Sequence, residues 1–328
     1  MQAILPLAGK GIRLRPQTHT RPKPLLRVAN RPVLDYVLDQ LKAAGVDEII
    51  GIMGHLAPQI EAHLSERHSG LSFRQVEQVQ QLGTADAIRL AEPMVDGPVL
   101  IVFVDTLFDA DLGLIEARPD VDGIIWAKDV EDYQRFGVIV HDDDGYMQKI
   151  VEKPSEPISR LANIGVYFIR DWRLMFEGIR HTMAAPPRDG EYYLTDALQY
   201  MIDRGDRLLT AEVSAWWDCG KIETLLDTNR LVLENGAANR PPVSDGSAVE
   251  DPVCVADGVT IEASNIGPNV SIAAGSVIRG SRLVNSIVGE GVTLVDCDLT
   301  DSLIGDHVEA RGLRGAVSLG DHTIIQPA

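Results

Sequence analysis

The residues best suited to chemistry gather first in one loop, Leu7-Ala8-Gly9-Lys10-Gly11-Ile12-Arg13-Leu14-Arg15-Pro16-Gln17-Thr18, continued by Arg21-Pro22-Lys23-Pro24-Leu25-Leu26. The loop follows a short apolar run, residues 2–7, that reads as a buried strand. Glycines placed just after a strand let backbone N–H groups approach phosphate oxygens, and cations beyond them neutralise the charge. Every charged side chain in residues 1–30 is basic (Lys10, Arg13, Arg15, Arg21, Lys23 and Arg27), although the whole chain carries a net charge of −18. Such local positive charge on an acidic protein points to a small, highly charged anion, against the plainer reading of a solvated basic loop. The loop is not a Walker A sequence, which needs Lys-Ser or Lys-Thr after its spacer. Nor is it a dinucleotide fingerprint, because Leu14 stands where the third glycine belongs.

Further along, Asp105 closes an apolar run and Asp218 follows two tryptophans. Taken singly these acids read as a cap and a buried, hydrogen-bonded carboxylate. Glu152-Lys153 alone is a surface ion pair worth little, and Gln78 and Asn163 alone are surface amides. Their joint occurrence with the N-terminal loop gives them functional weight.

The elements that must position these residues come in two styles. Residues 32–44, 57–65 and 84–91 have helical periodicity, residues 48–53 and 99–104 are short apolar strands, and residues 71–76 read as a further strand. Strand–helix alternation with continuous apolar strands predicts a doubly wound, mostly parallel sheet covered on both faces. Ligands of such sheets sit beyond the carboxyl ends of the strands, where Gly9 and Asp105 fall. After Trp126 the pattern turns β-rich, with a hairpin over residues 138–151 around Asp142-Asp143-Asp144-Gly145. That acidic turn lacks the further ligands of a calcium loop and reads as solvated. Helices are expected over residues 191–201 and 221–233, then a Gly/Ala/Pro/Ser-rich linker.

Beyond the linker Ile266-Gly-Pro-Asn-Val, Val288-Gly-Glu-Gly-Val, Ile304-Gly-Asp-His-Val and Leu319-Gly-Asp-His-Thr recur at irregular spacings of 22, 16 and 15. Ile266, Ile272, Ile278 and Val284 fall six apart. Hexapeptide spacing of aliphatics predicts a short left-handed parallel β-helix, whose coils must stack to bury their apolar edges. His307 and His322 occupy its corners, where a polar turn residue is a simpler account than an acyltransferase site.

The chain has 328 residues, 45% apolar and 24% charged, so two domains are expected. No run suits a membrane span, and the acidity argues against nucleic acid as a partner. Cys219, Cys254 and Cys297 are odd in number and widely spaced, which fits small buried thiols in a reducing cytoplasm.

The N-terminal loop resembles that of the sugar-1-phosphate nucleotidyltransferases. The resemblance continues in order through Gln78, Gly83-Thr84-Ala85-Asp86, Asp105-Thr106-Leu107-Phe108, Phe136-Gly137-Val138, Glu152-Lys153-Pro154, Asn163-Ile164-Gly165 and Trp217-Asp218-Cys219-Gly220. It implies a catalytic domain over residues 1–235, a linker over 236–252 and the β-helix over 253–328. It also implies that Leu7, Ala8, Gly9, Gly11, Gln78, Gly83, Thr84 and Asp105 line a nucleoside triphosphate. Arg13 would hold the departing phosphates, Lys23 the α-phosphate, and Asp105 with Asp218 would hold Mg²⁺. Gly137, Glu152 and Asn163 would contact the hydroxyls of a sugar 1-phosphate, and Lys153 its phosphate. The implied reaction makes an NDP-sugar and pyrophosphate, from dTTP or UTP and glucose 1-phosphate in first place. Ile12 stands where the family usually has Thr, and Val104 where it usually has Gly. These departures leave open an alternative, a regulatory binder of sugar nucleotides with weakened turnover. Association through the exposed edges of the β-helix into a homo-oligomer is expected as well.

Overall fold

The computed structural model describes residues 1–239 and 246–326; part of the expected linker, residues 240–245, lies outside the described residues. The chain forms two compact units, one from residues 1–9 and 37–216, the other from residues 10–36 and 217 onward.

The first unit is built on a nine-stranded sheet. Its centre is β1 (Gln2–Pro6), parallel to β2 (Glu48–Met53) on one side and to β4 (Val99–Val102) on the other, with β3 (Ser72–Glu77) parallel outside β2. Ile4, Ile50 and Ile101 on these strands are wholly buried, which is why the runs are apolar without alternation. The rest of the sheet departs from the parallel pattern. Strand β8 (Leu161–Ile169) runs antiparallel to β4 and to β5 (Gly123–Asp129), β6 (Gly137–His141) and β7 (Met147–Glu152) form the expected hairpin, and β9 (Leu208–Glu212) lies parallel to β5. Register shifts between Asn163 and Val166, so the first half of β8 also reaches Val138 of β6. Gly165 makes this bulge possible, with φ +81° and Phe103 Cβ 3.0 Å from the place a side chain would need.

In the acidic hairpin turn, expected to be solvated, Asp143 and Asp144 are exposed. Asp142 Oδ1 accepts from the Asp144 and Tyr146 N–H groups at 3.1 and 2.9 Å. The apolar run expected as residues 99–104 leaves the sheet at Val102, and Phe103 N–H instead donates to Gly165 O at 2.9 Å. The helix expected from residue 191 starts later, at Leu194–Asp203. Tyr192 is held extended: its N–H donates to Leu82 O at 2.7 Å and its carbonyl accepts from Ala85 N–H at 2.9 Å.

The second unit contains a left-handed parallel β-helix of three five-stranded parallel sheets. The rows of inward aliphatics are Ile266–Leu283–Leu299, Ile272–Val288–Ile304–Leu319 and Ile278–Leu294–Ala310–Ile325. The Ile266 unit therefore sits on a different face from the units at Val288, Ile304 and Leu319, which explains the odd spacing. In one corner column a left-handed residue is followed by a small one at Ala263-Ser264, Gly280-Ser281 and Asp296-Cys297. Ser281 N–H donates to Ser264 Oγ and Cys297 N–H to Ser281 Oγ, both at 3.0 Å, so each hydroxyl ties its coil to the next. His307 and His322 stack at another corner with ring centres 5.1 Å apart. All three cysteines are free and buried. Among the described residues no helix is long and apolar enough to cross a membrane.

Candidate active site

In the first unit, β1 ends in the phosphate-type loop. Leu7 N–H donates to Ile52 O at 2.8 Å, and Gln81 Nε2 donates to Ala8 O. Gly54 packs so closely on this turn that a Cβ there would lie 2.7 Å from Ala8 O. At Gly9 the situation reverses: a Cβ would meet no protein atom within 4 Å, so packing does not account for glycine at that position.

Gln78 is 8% exposed, and its Nε2 donates to Asp86 Oδ2 at 2.9 Å. Asp86 in turn pairs with Arg89 at 3.1 Å. The amide is thus oriented by a buried acid rather than lying on the surface. Gly83 adopts φ +108°, and a Cβ there would be 2.4 Å from Tyr192 O, a position only glycine tolerates. Thr84 Oγ1 accepts from Leu194 N–H at 2.9 Å, which clips this loop to the start of the helix Leu194–Asp203. Asp105 occupies the turn between Val102 and Thr106, partly exposed.

Gly137, Glu152 and Asn163 come together. Asn163 Nδ2 donates to Gly137 O at 2.8 Å, and its Oδ1 accepts from Tyr167 OH. Glu152 Oε2 accepts from Thr195 Oγ1 at 3.1 Å. A Cβ on Gly137 would lie 2.3 Å from Asn163 Nδ2 and 2.9 Å from Glu152 Oε2, so glycine is what allows the cluster to close. Burial pushes the Glu152 carboxyl above the usual carboxylate range, partly offset by the Thr195 hydroxyl and the Lys153 ammonium. Burial, with the charges of Glu152 and Asp105, raises the Tyr167 phenol and keeps it a hydrogen-bond donor. Lys153 has φ +44°, and its ammonium lies 4.9 Å from the centre of the Tyr193 ring. Arg188 lies 4.9 Å from the same ring centre.

In the second unit, Gly11 (φ +59°) is packed against Thr18 and Lys23; a Cβ would be 2.8 Å from Thr18 Cγ2 and 3.3 Å from Lys23 Cβ. Thr18 Oγ1 donates to Gly11 O at 2.8 Å, closing the loop on itself. The Asp218 carboxylate accepts Gly220 N–H at 2.7 Å and the Thr224 hydroxyl at 3.2 Å, ahead of the helix Ile222–Val232. A Cβ on Gly220 would strike Asp218 Oδ1 at 2.7 Å and lie 3.4 Å from Arg13 Nη2, so Arg13 and Asp218 converge on this glycine.

The two departures differ in setting: Ile12 is 63% exposed, whereas Val104 is 3% exposed and belongs to the core of the first unit. Part of the basic stretch is met by carboxylates of the β-helix. Arg21 pairs with Asp306, and Arg27 pairs with both Asp306 and Glu290. Sequence reasoning gave no role to Asp86, Tyr167, Arg188, Tyr193 or Thr195. Asp86 and Thr195 are buried polar residues on helical faces, a signal that a single sequence does not separate from polarity at the surface.

Residues 2–235 match the family model for nucleotidyl transferases. The low-salt glycan biosynthesis nucleotidyltransferase of Haloferax volcanii is 33% identical, over 93% of this chain and 92% of its own length. The glucose-1-phosphate thymidylyltransferase of Streptomyces griseus is 31% identical, over 99% of both chains. In fold, a UDP-glucose pyrophosphorylase crystallised with UDP-glucose superposes with a TM-score of 0.63 at 23% identity, covering 71% of this chain and 98% of that one. The chain belongs to the nucleotidyl transferase family, in its branch of sugar-1-phosphate nucleotidyltransferases.

Proposed function

We propose that the chain transfers a nucleotidyl group from a nucleoside triphosphate, dTTP or UTP, to a sugar 1-phosphate, glucose 1-phosphate in first place. A phosphate oxygen of the sugar attacks the α-phosphorus, the bond from that phosphorus to the bridging oxygen breaks, and pyrophosphate leaves. The observation that carries this reading is the cluster of Gly137, Glu152 and Asn163, a set of oriented acceptors and donors beside the ammonium of Lys153. Such a set suits the hydroxyls and phosphate of a sugar phosphate.

The nucleotide would lie along Leu7, Ala8, Gly9 and Gly11, with the open space above Gly9 admitting phosphate oxygens to the backbone. Gln78, held by Asp86, and Gly83 with Thr84 would read the base. Arg13 would take the charge of the departing phosphates and Lys23 that of the α-phosphate. The sugar phosphate is already an oxyanion at neutral pH, so positioning and charge neutralisation supply the rate, and no general base is required. Family members use a divalent metal. The carboxylates of Asp105 and Asp218 are hard oxygen donors of the kind Mg²⁺ prefers, and Asp218 is preoriented by Gly220 and Thr224. When bound, the ion would draw negative charge from the phosphate oxygens.

All of these residues lie within residues 1–235, which we take as the catalytic portion. We assign association into a homo-oligomer to the β-helix; loss of association by light scattering in a chain ending near Asn235 is the expected outcome, and an unchanged state would refute it. The three free thiols support a reducing, cytoplasmic setting, which fractionation would check. Pyrophosphate release measured across nucleotides and sugar phosphates tests the reaction. A chain that binds sugar nucleotides and releases no pyrophosphate would be the regulatory binder instead.

A further inference from the structure

We infer that the β-helix positions the phosphate loop: Asp306, acting through Arg21 and Arg27, holds the segment that carries Arg13 and Lys23. The functional half of this inference rests on the phosphate-binding roles proposed for those two residues.

Between Gly11 and Leu26 the chain has little structure of its own. It makes three single-turn helices, Ile12–Leu14, Gln17–His19 and Lys23–Leu25, too short to fix their own position. What fixes them is the β-helix, some three hundred residues later in sequence and in the same compact unit. Gln17 is buried, and its Nε2 lies 3.1 Å from Leu303 O, 3.1 Å from Ser318 Oγ and 3.2 Å from Leu319 O. Thr20 Oγ1 donates to Asp321 Oδ2 at 2.8 Å. Arg21 and Arg27 both reach Asp306, and Arg27 also reaches Glu290.

Asp306 is itself rigidly held. Its Oδ1 accepts from Glu290 N–H at 2.9 Å, and its N–H donates to Asp321 Oδ1 at 2.7 Å. The corner column Gly289, Gly305 and Gly320 explains how it fits. A Cβ on Gly289 would lie 2.4 Å from Asp306 Oδ1, and one on Gly305 would lie 2.5 Å from Asp321 Oδ1. At Gly320 the neighbour is Pro16 of the phosphate loop, whose Cβ lies 3.2 Å from that place. Pro16 thus stands at Gly320 where an aspartate stands at Gly289 and Gly305. Arg21 lies two residues before Lys23, so a shift at the ion pair is passed directly to a proposed phosphate ligand. The side chains of Arg21, Arg27 and Asp306 are 24%, 18% and 11% exposed, so solvent screens these pairs less than a surface pair.

The test uses the full-length chain with Asp306→Asn, which keeps the side-chain size and an acceptor for Glu290 N–H and removes the charge facing both arginines. Misalignment of phosphate ligands should lower kcat/KM for the nucleotide by about tenfold to a hundredfold. The KM for sugar phosphate should stay within about twofold, because its proposed contacts lie in the other unit. Amide hydrogen exchange in residues 14–26 should accelerate by about tenfold or more, with the first unit unchanged. Arg21→Gln should reproduce these effects from the loop side, which guards against a folding defect in the β-helix. Asp298→Asn, which removes the exposed pair with Arg282 at 3.2 Å, should change neither readout. Unchanged exchange in both variants overturns the inference. So does faster exchange with unaltered nucleotide kinetics, since the contact would then be structural only. If the unaltered chain releases no pyrophosphate, the proposed reaction fails. Calorimetric loss of nucleotide affinity in Asp306→Asn would then still uphold the positioning role, and unchanged affinity would overturn it.

Discussion

Gly137→Ala is the sharpest probe of the proposed sugar-phosphate cluster. The new Cβ would fall 2.3 Å from Asn163 Nδ2, 2.8 Å from Thr195 Cγ2 and 2.9 Å from Glu152 Oε2, three contacts closer than side chains tolerate. Asn163 cannot simply rotate, because its Oδ1 is bonded to Tyr167 and its Nδ2 to Gly137 O at 2.8 Å. The amide must therefore retreat by about 1 Å, a displacement that costs up to about a hundredfold when it misaligns a binding group. Overpacking of this kind costs about 1–3 kcal/mol, and the lost hydrogen bond about 1 kcal/mol more. The folded variant should melt lower by several degrees. Its KM for sugar phosphate should rise about tenfold to a hundredfold, equivalent to about 1.4–2.8 kcal/mol, with the nucleotide KM little changed. Pyrophosphate release, measured below the melting transition with each substrate varied at saturating levels of the other, separates the two constants. A folded variant with an unaltered KM for sugar phosphate, or one in which only the nucleotide KM moves, would refute the assignment.

Asp105→Ala and Asp218→Ala should each abolish metal-dependent turnover while circular dichroism shows the fold retained; near-normal activity in either would mean the metal ligands are misassigned. Arg13→Ala and Lys23→Ala should each slow turnover by about a hundredfold or more, about 3 kcal/mol of lost charge stabilisation. A change confined to the KM for sugar phosphate would contradict their roles. Asp206 offers a test of stability: burial, with the nearby Asp122 and Asp171, pushes its carboxyl from 3.8 up to about 6, and its Oδ2 is buried without a partner. Because the folded value is the higher one, folding favours the protonated acid, and the ionised form is a burden that grows as pH rises from about 4 through 6. Asp206→Asn should therefore stabilise the protein at pH 7–8 by about 1 kcal/mol, discounted for partial exposure. Denaturation at several pH values should show the gap closing below pH 5, and a pH-independent gap would contradict the linkage.

Much of the sheet was legible because its physics is local. Ile4, Ile50 and Ile101 are buried on both faces of a parallel centre, so their strands read as unbroken apolar runs. The hairpin over residues 137–152 was legible because Asp142 and Gly145 carry turn chemistry of their own. Strand β8 was not, since nothing in residues 161–169 encodes which way the strand enters the sheet. Its bulge at Gly165 depends on Phe103, a contact between distant parts of the chain. The late start of the helix at Leu194 has the same origin: Tyr192 is drawn away by the carbonyl of Leu82. In the β-helix the aliphatic period of six was legible as far as Ile278, but the next side is five residues long, so Leu283 and not Val284 is the inward residue.

Residue type singled out the candidate glycines; only packing separates their reasons. Gly83 and Gly137 are glycine because other protein atoms already occupy the side-chain position, whereas Gly9 faces open space. Crowded glycines are explained by the fold, whereas packing gives no reason for glycine at position 9. The cations divide on a similar principle. Arg21 and Arg27 carry the same charge as Arg13, but rigid carboxylates from the β-helix already meet them. Their positive charge is spent inside the protein and contributes little at a distance. The other cations of the stretch are Lys10, Arg13, Arg15 and Lys23. Two of those four, Arg13 and Lys23, lie against Gly220 and Gly11, the glycines that shape the loop around them.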